Sequence, residues 1–122
     1  MREIKYRAKV MNCKKWIYRQ PFHIRGTWYM YNSLWDMVPI EYKTMSQYTG
    51  LKDKNGKEIY ESHILESPEG IRVDVKFVPE HAAFLVYYSI DGNAQYDYLD
   101  NAHKCKVIGN SYQHPELLEG GR

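Results

Sequence analysis

Between Glu3 and Val10 apolar and charged side chains alternate without a break: Ile4, Tyr6, Ala8 and Val10 fall on one side, Glu3, Lys5, Arg7 and Lys9 on the other. Successive side chains of an extended chain point to opposite faces, so the alternation predicts a strand with one face buried and one solvated. A turn at Met11-Asn12-Cys13-Lys14 and a second strand over Lys15 to Arg19 complete a predicted N-terminal hairpin. Farther along, Ile71, Val73, Val75 and Phe77 alternate with Arg72, Asp74 and Lys76, which predicts a strand over residues 71 to 78. The apolar run Ala83 to Ser89 reads as its partner, and Asp91-Gly92-Asn93 turns the chain back toward Gln95 to Leu99. Lys104 to Gly109 adds a last short strand. Pro115-Glu116-Leu117-Leu118 is a proline-started helical turn before a flexible Glu-Gly-Gly-Arg end.

Two regions depart from this pattern. Asn55-Gly56, between short extended segments, supplies the residues that most readily take positive φ, and predicts a type I′ or G1-bulge turn. Residues 20 to 46 are interrupted by Pro21, Gly26 and Pro39 and crowded with Trp28, Tyr29, Tyr31, Leu34, Trp35 and Met37. Loop, short strand and a covering turn of helix all remain open there. The elements together predict a mainly β fold: an antiparallel meander curled into a small, partly open barrel, with short helical or irregular segments covering it. A small α+β domain is the alternative.

Length and composition narrow the reading. A chain of 122 residues is expected to form one domain over residues 1 to 122. Its 12 Tyr, 3 Trp and 3 Phe suit pleated, half-buried surfaces. No apolar run approaches the roughly 18 residues of a membrane span, and no hydrophobic segment of signal-peptide type follows the charged N-terminus, so a cytoplasmic protein without membrane contact is expected. Cys13 and Cys105 form no CxxC pair and read as thiols, and the five histidines are scattered. Neither a metal nor a cofactor is expected.

Charge is polarised along the chain. Residues 1 to 26 carry +7, so residues 27 to 122 carry −5, and the acidic side chains gather between Glu58 and Asp100. Opposite poles of this kind can attract one another within or between subunits. Alternatively, Lys5, Arg7, Lys9 and Lys15, interleaved with Tyr6, Trp16, Tyr18 and Phe22, form a candidate track for a nucleic-acid backbone. Trp28, Tyr29, Tyr31 and Trp35 are candidates for a protein or subunit interface, because Tyr and Trp are enriched at interface hot spots.

Catalytic chemistry has thin support. Thr49, Asp53, Lys54, Glu58 and Glu61 could gather near the central hairpin, where paired carboxylates can exchange protons. Polar residues beside a turn are equally expected for solvation and backbone capping. No nucleophile elbow, phosphate loop or metal-binding helix motif occurs, and no catalytic residue is expected.

Three ordered segments resemble the YopX family of phage and prophage proteins. They are Met1-Arg2-Glu3-Ile4-Lys5-Tyr6-Arg7-Ala8, the stretch Tyr48 to Tyr60 around Thr49-Gly50-Leu51-Lys52-Asp53-Lys54-Asn55-Gly56-Lys57, and Val107-Ile108-Gly109-Asn110-Ser111-Tyr112-Gln113-His114-Pro115-Glu116-Leu117-Leu118. After the tyrosine the family pattern usually reads Glu-Gly-Asp-Ile, whereas this chain has Glu61-Ser62-His63-Ile64. The resemblance implies a YopX-like β fold and a phage or prophage setting without fixing a reaction, since the family's molecular function is not established. The expected role is a non-enzymatic module that binds a host or phage protein, or another copy of itself, with nucleic-acid binding as the alternative.

Overall fold

The structure, a computed structural model, describes residues 5–119. The predicted strand positions Glu3 and Ile4, the first four residues of the opening motif and the predicted flexible Gly-Gly-Arg end lie outside the described residues. The chain divides into two compact units, Met1–Tyr48 and Thr49–Arg122.

In the first unit β1 (Tyr6–Lys9) pairs antiparallel with β2 (Trp16–Ile17) and, through Tyr6 and Arg7, with Gln47 and Ser46 at the start of β6 (Ser46–Lys52). The predicted N-terminal hairpin is therefore present, though its strands are shorter than the alternation suggests. The residues from 20 to 46 are not an irregular cover. They build a three-stranded meander of β3 (Phe22–Ile24), β4 (Thr27–Ser33) and β5 (Asp36–Pro39), followed by a 3-10 turn at Tyr42–Thr44. Ala8, Ile17, Met30 and Ile40 form the core of this unit, with Trp28, Val38 and Met45 packed against it.

One face of β1 differs from expectation. Arg7, predicted on a solvated face, is only 6% exposed, and its guanidinium lies 4.2 Å from the centre of the Trp16 ring. The Trp16 ring on the neighbouring strand lies against the guanidinium on this face, and a guanidinium tolerates the loss of water by lying over an aromatic face.

In the second unit the rest of β6 turns into β7 (Glu58–Tyr60), and β8 (His63–Glu66), β9 (Arg72–Val78), β10 (Ala83–Ile90), β11 (Asn93–Tyr98) and β12 (Lys106–Asn110) form an antiparallel sheet of order β11-β10-β9-β8-β12. This sheet curls into a half-barrel, as the sequence pattern predicts. The only α-helix among the described residues is the short α1 (Glu116–Glu119). Ile59, Leu65, Val73, Val75, Phe84, Val86 and Ala102 make the core. Between β10 and β11, Asp91 and Gly92 take φ of 53° and 80°, the pair of left-handed residues that a two-residue mirror-image turn requires.

Candidate functional site

Of the three family-like segments, the central one from Thr49 onward and the closing one meet in the second unit, and they meet as a structural junction. The Asp53 carbonyl accepts from Gly56 N–H at 3.0 Å while Asp53 N–H donates to Lys57 O at 2.8 Å. Gly56 has φ of 81° and Asn55 does not enter the left-handed region, so of the two expected turns this is the G1-bulge form. The Asp53 side chain, 6% exposed, accepts from Asn55 N–H (2.8 Å) and Lys57 N–H (2.9 Å) at one oxygen and from Val107 N–H (2.9 Å) at the other. Lys54 N–H donates to Cys105 O at 2.8 Å. The hairpin is thus tied to the strand that opens the third motif. Burial pushes the Asp53 carboxyl up, but the amides of Val107, Lys57 and Asn55 and the charge of Lys57 outweigh it and leave the group below the ordinary carboxylate range.

Ser62 and His63 stand where the family pattern has glycine and aspartate. Ser62 has φ of 74°, a conformation in which glycine is unstrained. His63 is 3% exposed, and its Nδ1 accepts from Tyr60 N–H at 2.9 Å. An aspartate oxygen here would accept from the same kind of donor across the same turn, so the imidazole keeps the acceptor while changing the charge. Ser62 O accepts from Ser111 N–H at 2.8 Å, which links this turn to the third motif as well. Within that motif Asn110, 6% exposed, accepts from Tyr112 and Gln113 N–H through its side chain, and a Cβ at Gly109 would lie 2.8 Å from His114 Nδ1. Glycine at 109 is what lets the closing segment pack back on β12.

The remaining carboxylates of the central stretch are engaged separately. Glu58 accepts from the Tyr60 hydroxyl at 3.3 Å and Glu61 from Phe77 N–H at 3.3 Å. Among the described residues no group of three or more His, Cys, Asp or Glu side chains is placed to hold a metal ion. A concave apolar cavity of about 230 Å³ lies on the inner face of the half-barrel between Ile71, Val73, Tyr88 and Leu99, with Glu69 and Asp100 beside it. Cys105 also lines it. Burial first, then the Glu69 charge, pushes the Cys105 thiol up, which keeps the sulfur in its weakly nucleophilic protonated form. This cavity has no local signal in the sequence, because its walls come from strands whose register alone brings them together.

The four basic candidates of the first unit are each in contact with protein. The Lys5 ammonium sits 5.0 Å from the centre of the Tyr48 ring, Arg7 lies over Trp16, Lys9 bonds Glu41 at 2.6 Å and Lys15 donates to Asn32 Oδ1 at 2.8 Å.

The four aromatic candidates separate into two groups. Along β4 the side chains alternate, so Trp28 and Met30 turn toward the core while Tyr29 and Tyr31 turn away from it. Trp28 is half-buried, stacked against Tyr42 with ring centres 6.4 Å apart. Phe22 extends the outer face, 5.9 Å from Tyr29 and 5.0 Å from Tyr31, and Met37 stands opposite Tyr31 across the ladder. This outer face runs to the turn between Ser33 and Asp36, whose two residues, Leu34 and Trp35, are 78% and 89% exposed. Neither takes positive φ, and a register shift between Tyr31 and Ser33 accommodates the non-mirror turn. Asn32 Nδ2 donates to Asp36 Oδ2 at 3.2 Å and its Oδ1 accepts from Lys15, which braces the tip from both sides. Leu34 is not among the four aromatic candidates, yet it shares the tip with Trp35. The signal lay in Asn32-Ser33 and Asp36, turn-forming residues that flank two bulky apolar ones.

A comparison with curated proteins finds no match. A family model described as YopX protein matches residues 5–119, a span that includes the central hairpin, the Glu61-Ser62-His63-Ile64 turn and the closing motif. On that match, the chain belongs to the YopX family.

Proposed function

We propose that this chain is a non-enzymatic protein-binding module, encoded by a phage or prophage and acting in the cytoplasm of the host bacterial cell. The contact is carried by the outer face of β3, β4 and β5 and by the tip at Leu34 and Trp35. The carrying observation is the 89% exposure of Trp35 beside a 78% exposed Leu34, held at a braced turn and continuous with Tyr31 and Met37, which are 47% and 44% exposed. A single exposed apolar side chain is ordinary, but a contiguous group of large ones left largely in solvent is the usual mark of a contact surface. Tryptophan is among the residue types enriched at interface hot spots, where it fills a well-packed pocket.

The occupation of Asp53, Glu58 and Glu61 by backbone amides and a tyrosine hydroxyl supports the non-enzymatic reading. The nucleic-acid alternative has less support, since Lys5, Arg7, Lys9 and Lys15 all make contacts within their own unit. Among the described residues no helix is long and apolar enough to cross a membrane. A photo-crosslinking amino acid at position 35, irradiated in infected cells, tests the proposal against the same group at exposed position 104. A defined protein adduct formed from 35 alone is expected. Identical adducts from both positions, or an adduct to nucleic acid, would contradict it.

A further inference from the structure

The two edges of the half-barrel sheet are treated differently. On one side β12 is covered, with Val107 N–H held by Asp53 and Cys105 O by Lys54 N–H, and its pairing with β8 is broken by a bulge between Val107 and Gly109. On the other side β11 is the last strand, and every one of its residues is exposed. Sheets ordinarily guard such an edge with proline, lysine, a bulge or a very short strand. β11 has none of these. It runs six residues in unbroken register with β10, and its only charge is Asp97.

The hydrogen-bonding phase of this edge follows from its end. Leu99 N–H donates to Phe84 O at 3.2 Å, so in the alternating antiparallel ladder Asn93, Gln95 and Asp97 share their bonds with β10. The N–H and C=O groups of Ala94 and Tyr96 therefore point away from β10 into solvent. Tyr98 N–H is already taken by Asp97 Oδ1 at 2.8 Å, which closes the ladder at that end. What is offered is a short, neutral stretch of main chain centred on Gln95.

We infer that this edge pairs antiparallel with β11 of a second copy, about a two-fold axis through Gln95. In that register Ala94 of each copy stands opposite Tyr96 of the other, and each such pair exchanges two main-chain bonds. Gln95 meets Gln95 with amides that donate and accept to one another. Asn93 faces Asp97, so a donor meets the carboxylate and no like charges stand opposed. The strand is thus complementary to itself, which is the condition for an isologous two-fold contact. A strand-to-strand contact of this length belongs to the small, weak class of interfaces, so the association is concentration-dependent. It is independent of the β4–β5 tip.

Sedimentation of the full chain between about 1 and about 200 micromolar, the range in which small interfaces associate, reads the inference directly. The 14.5 kDa monomer is expected to pass into a species of twice that mass as concentration rises. Tyr96→Pro removes an outward N–H and none of the bonds to β10, so it should remain monomeric with an unchanged circular dichroism spectrum. Gln95→Lys places two ammonium groups across the axis and should weaken the dimer at low salt more than at high salt. The double variant Leu34→Ser, Trp35→Ser should dimerise as wild type does, which separates this inference from the proposed partner contact. A wild-type chain that stays monomeric throughout the range, or a Gln95→Lys chain that dimerises equally at low salt, would overturn it, as would association of wild type that is lost with the Leu34 and Trp35 side chains.

Discussion

Replacing Asp53 by alanine leaves three backbone amides, those of Asn55, Lys57 and Val107, without their acceptor. Asn55 and Lys57 are exposed, so water can replace the carboxylate there, whereas Val107 is half-buried. Hydrogen bonds to a charged group contribute about 1.5–3 kcal/mol, so Asp53→Ala is expected to lower stability by about 1–3 kcal/mol in urea titration. The same contacts set a pH dependence. The folded Asp53 binds its proton less readily than the unfolded chain, whose value is near 3.8, so its contribution is present above that pH and is lost as pH falls through the lower folded value. The acid-unfolding limb of Asp53→Ala should accordingly be shallower than that of wild type. Ser62 gives an opposite case. At φ of 74°, Ser62→Gly should raise stability by about 0.5–1 kcal/mol, relief of left-handed strain outweighing the added freedom of the unfolded chain. Asn55-Gly56 was legible as a turn because the information is local. The role of Asp53 was not, because its partner Val107 lies 54 residues away.

At the scale of elements, β1, β9, β10 and β11 could be read from alternation and turn residues, because each has faces of contrasting polarity or an Asx-Gly turn at its end. Residues 20 to 46 could not. β4 places Trp28 and Met30 on its inner side and Tyr29 and Tyr31 on its outer side, so both faces are apolar or aromatic and the alternation vanishes although the strand is regular. The return of β12 to pair with β8 was illegible for another reason: that pairing depends on register set by Asp53 and Gly109 across a long separation. In β9, Asp74 is buried with its Oδ1 making no hydrogen bond, and Lys76 meets only the other oxygen at 3.2 Å. Burial pushes this carboxyl above the ordinary range, against the opposing pull of Lys76. A raised carboxyl is destabilising where it is ionised, so Asp74→Asn should raise the urea midpoint near neutral pH, the gain fading as pH falls toward and below the unfolded value of 3.8. Gly109→Ala should have the reverse sign at every pH, by about 1–3 kcal/mol, since its Cβ would drive against His114 and Leu117.

Across the molecule, basic and acidic side chains are divided between the two units: nine against three in residues 1 to 48, and eight against twelve in residues 49 to 122. The basic unit also holds the exposed aromatic tip, and the acidic unit holds the central hairpin, the closing family-like segment and the unguarded β11 edge. Of the four aromatic candidates, Trp35 and Tyr31 are presented to solvent while Trp28 is drawn into the core, a division that composition alone does not reveal. Protein binding by the β4–β5 tip remains the proposal on which the function rests. Its most direct test is affinity capture of the tagged chain from infected host cells, with and without nuclease, comparing wild type with the Leu34→Ser, Trp35→Ser double variant and reading the recovered proteins by quantitative mass spectrometry. A stoichiometric protein that survives nuclease and falls at least about tenfold with the double variant is expected, the loss that follows from removing a hot spot of about 1.4 kcal/mol or more. Recovery that collapses with nuclease, or that is unchanged by loss of the tip, would contradict it.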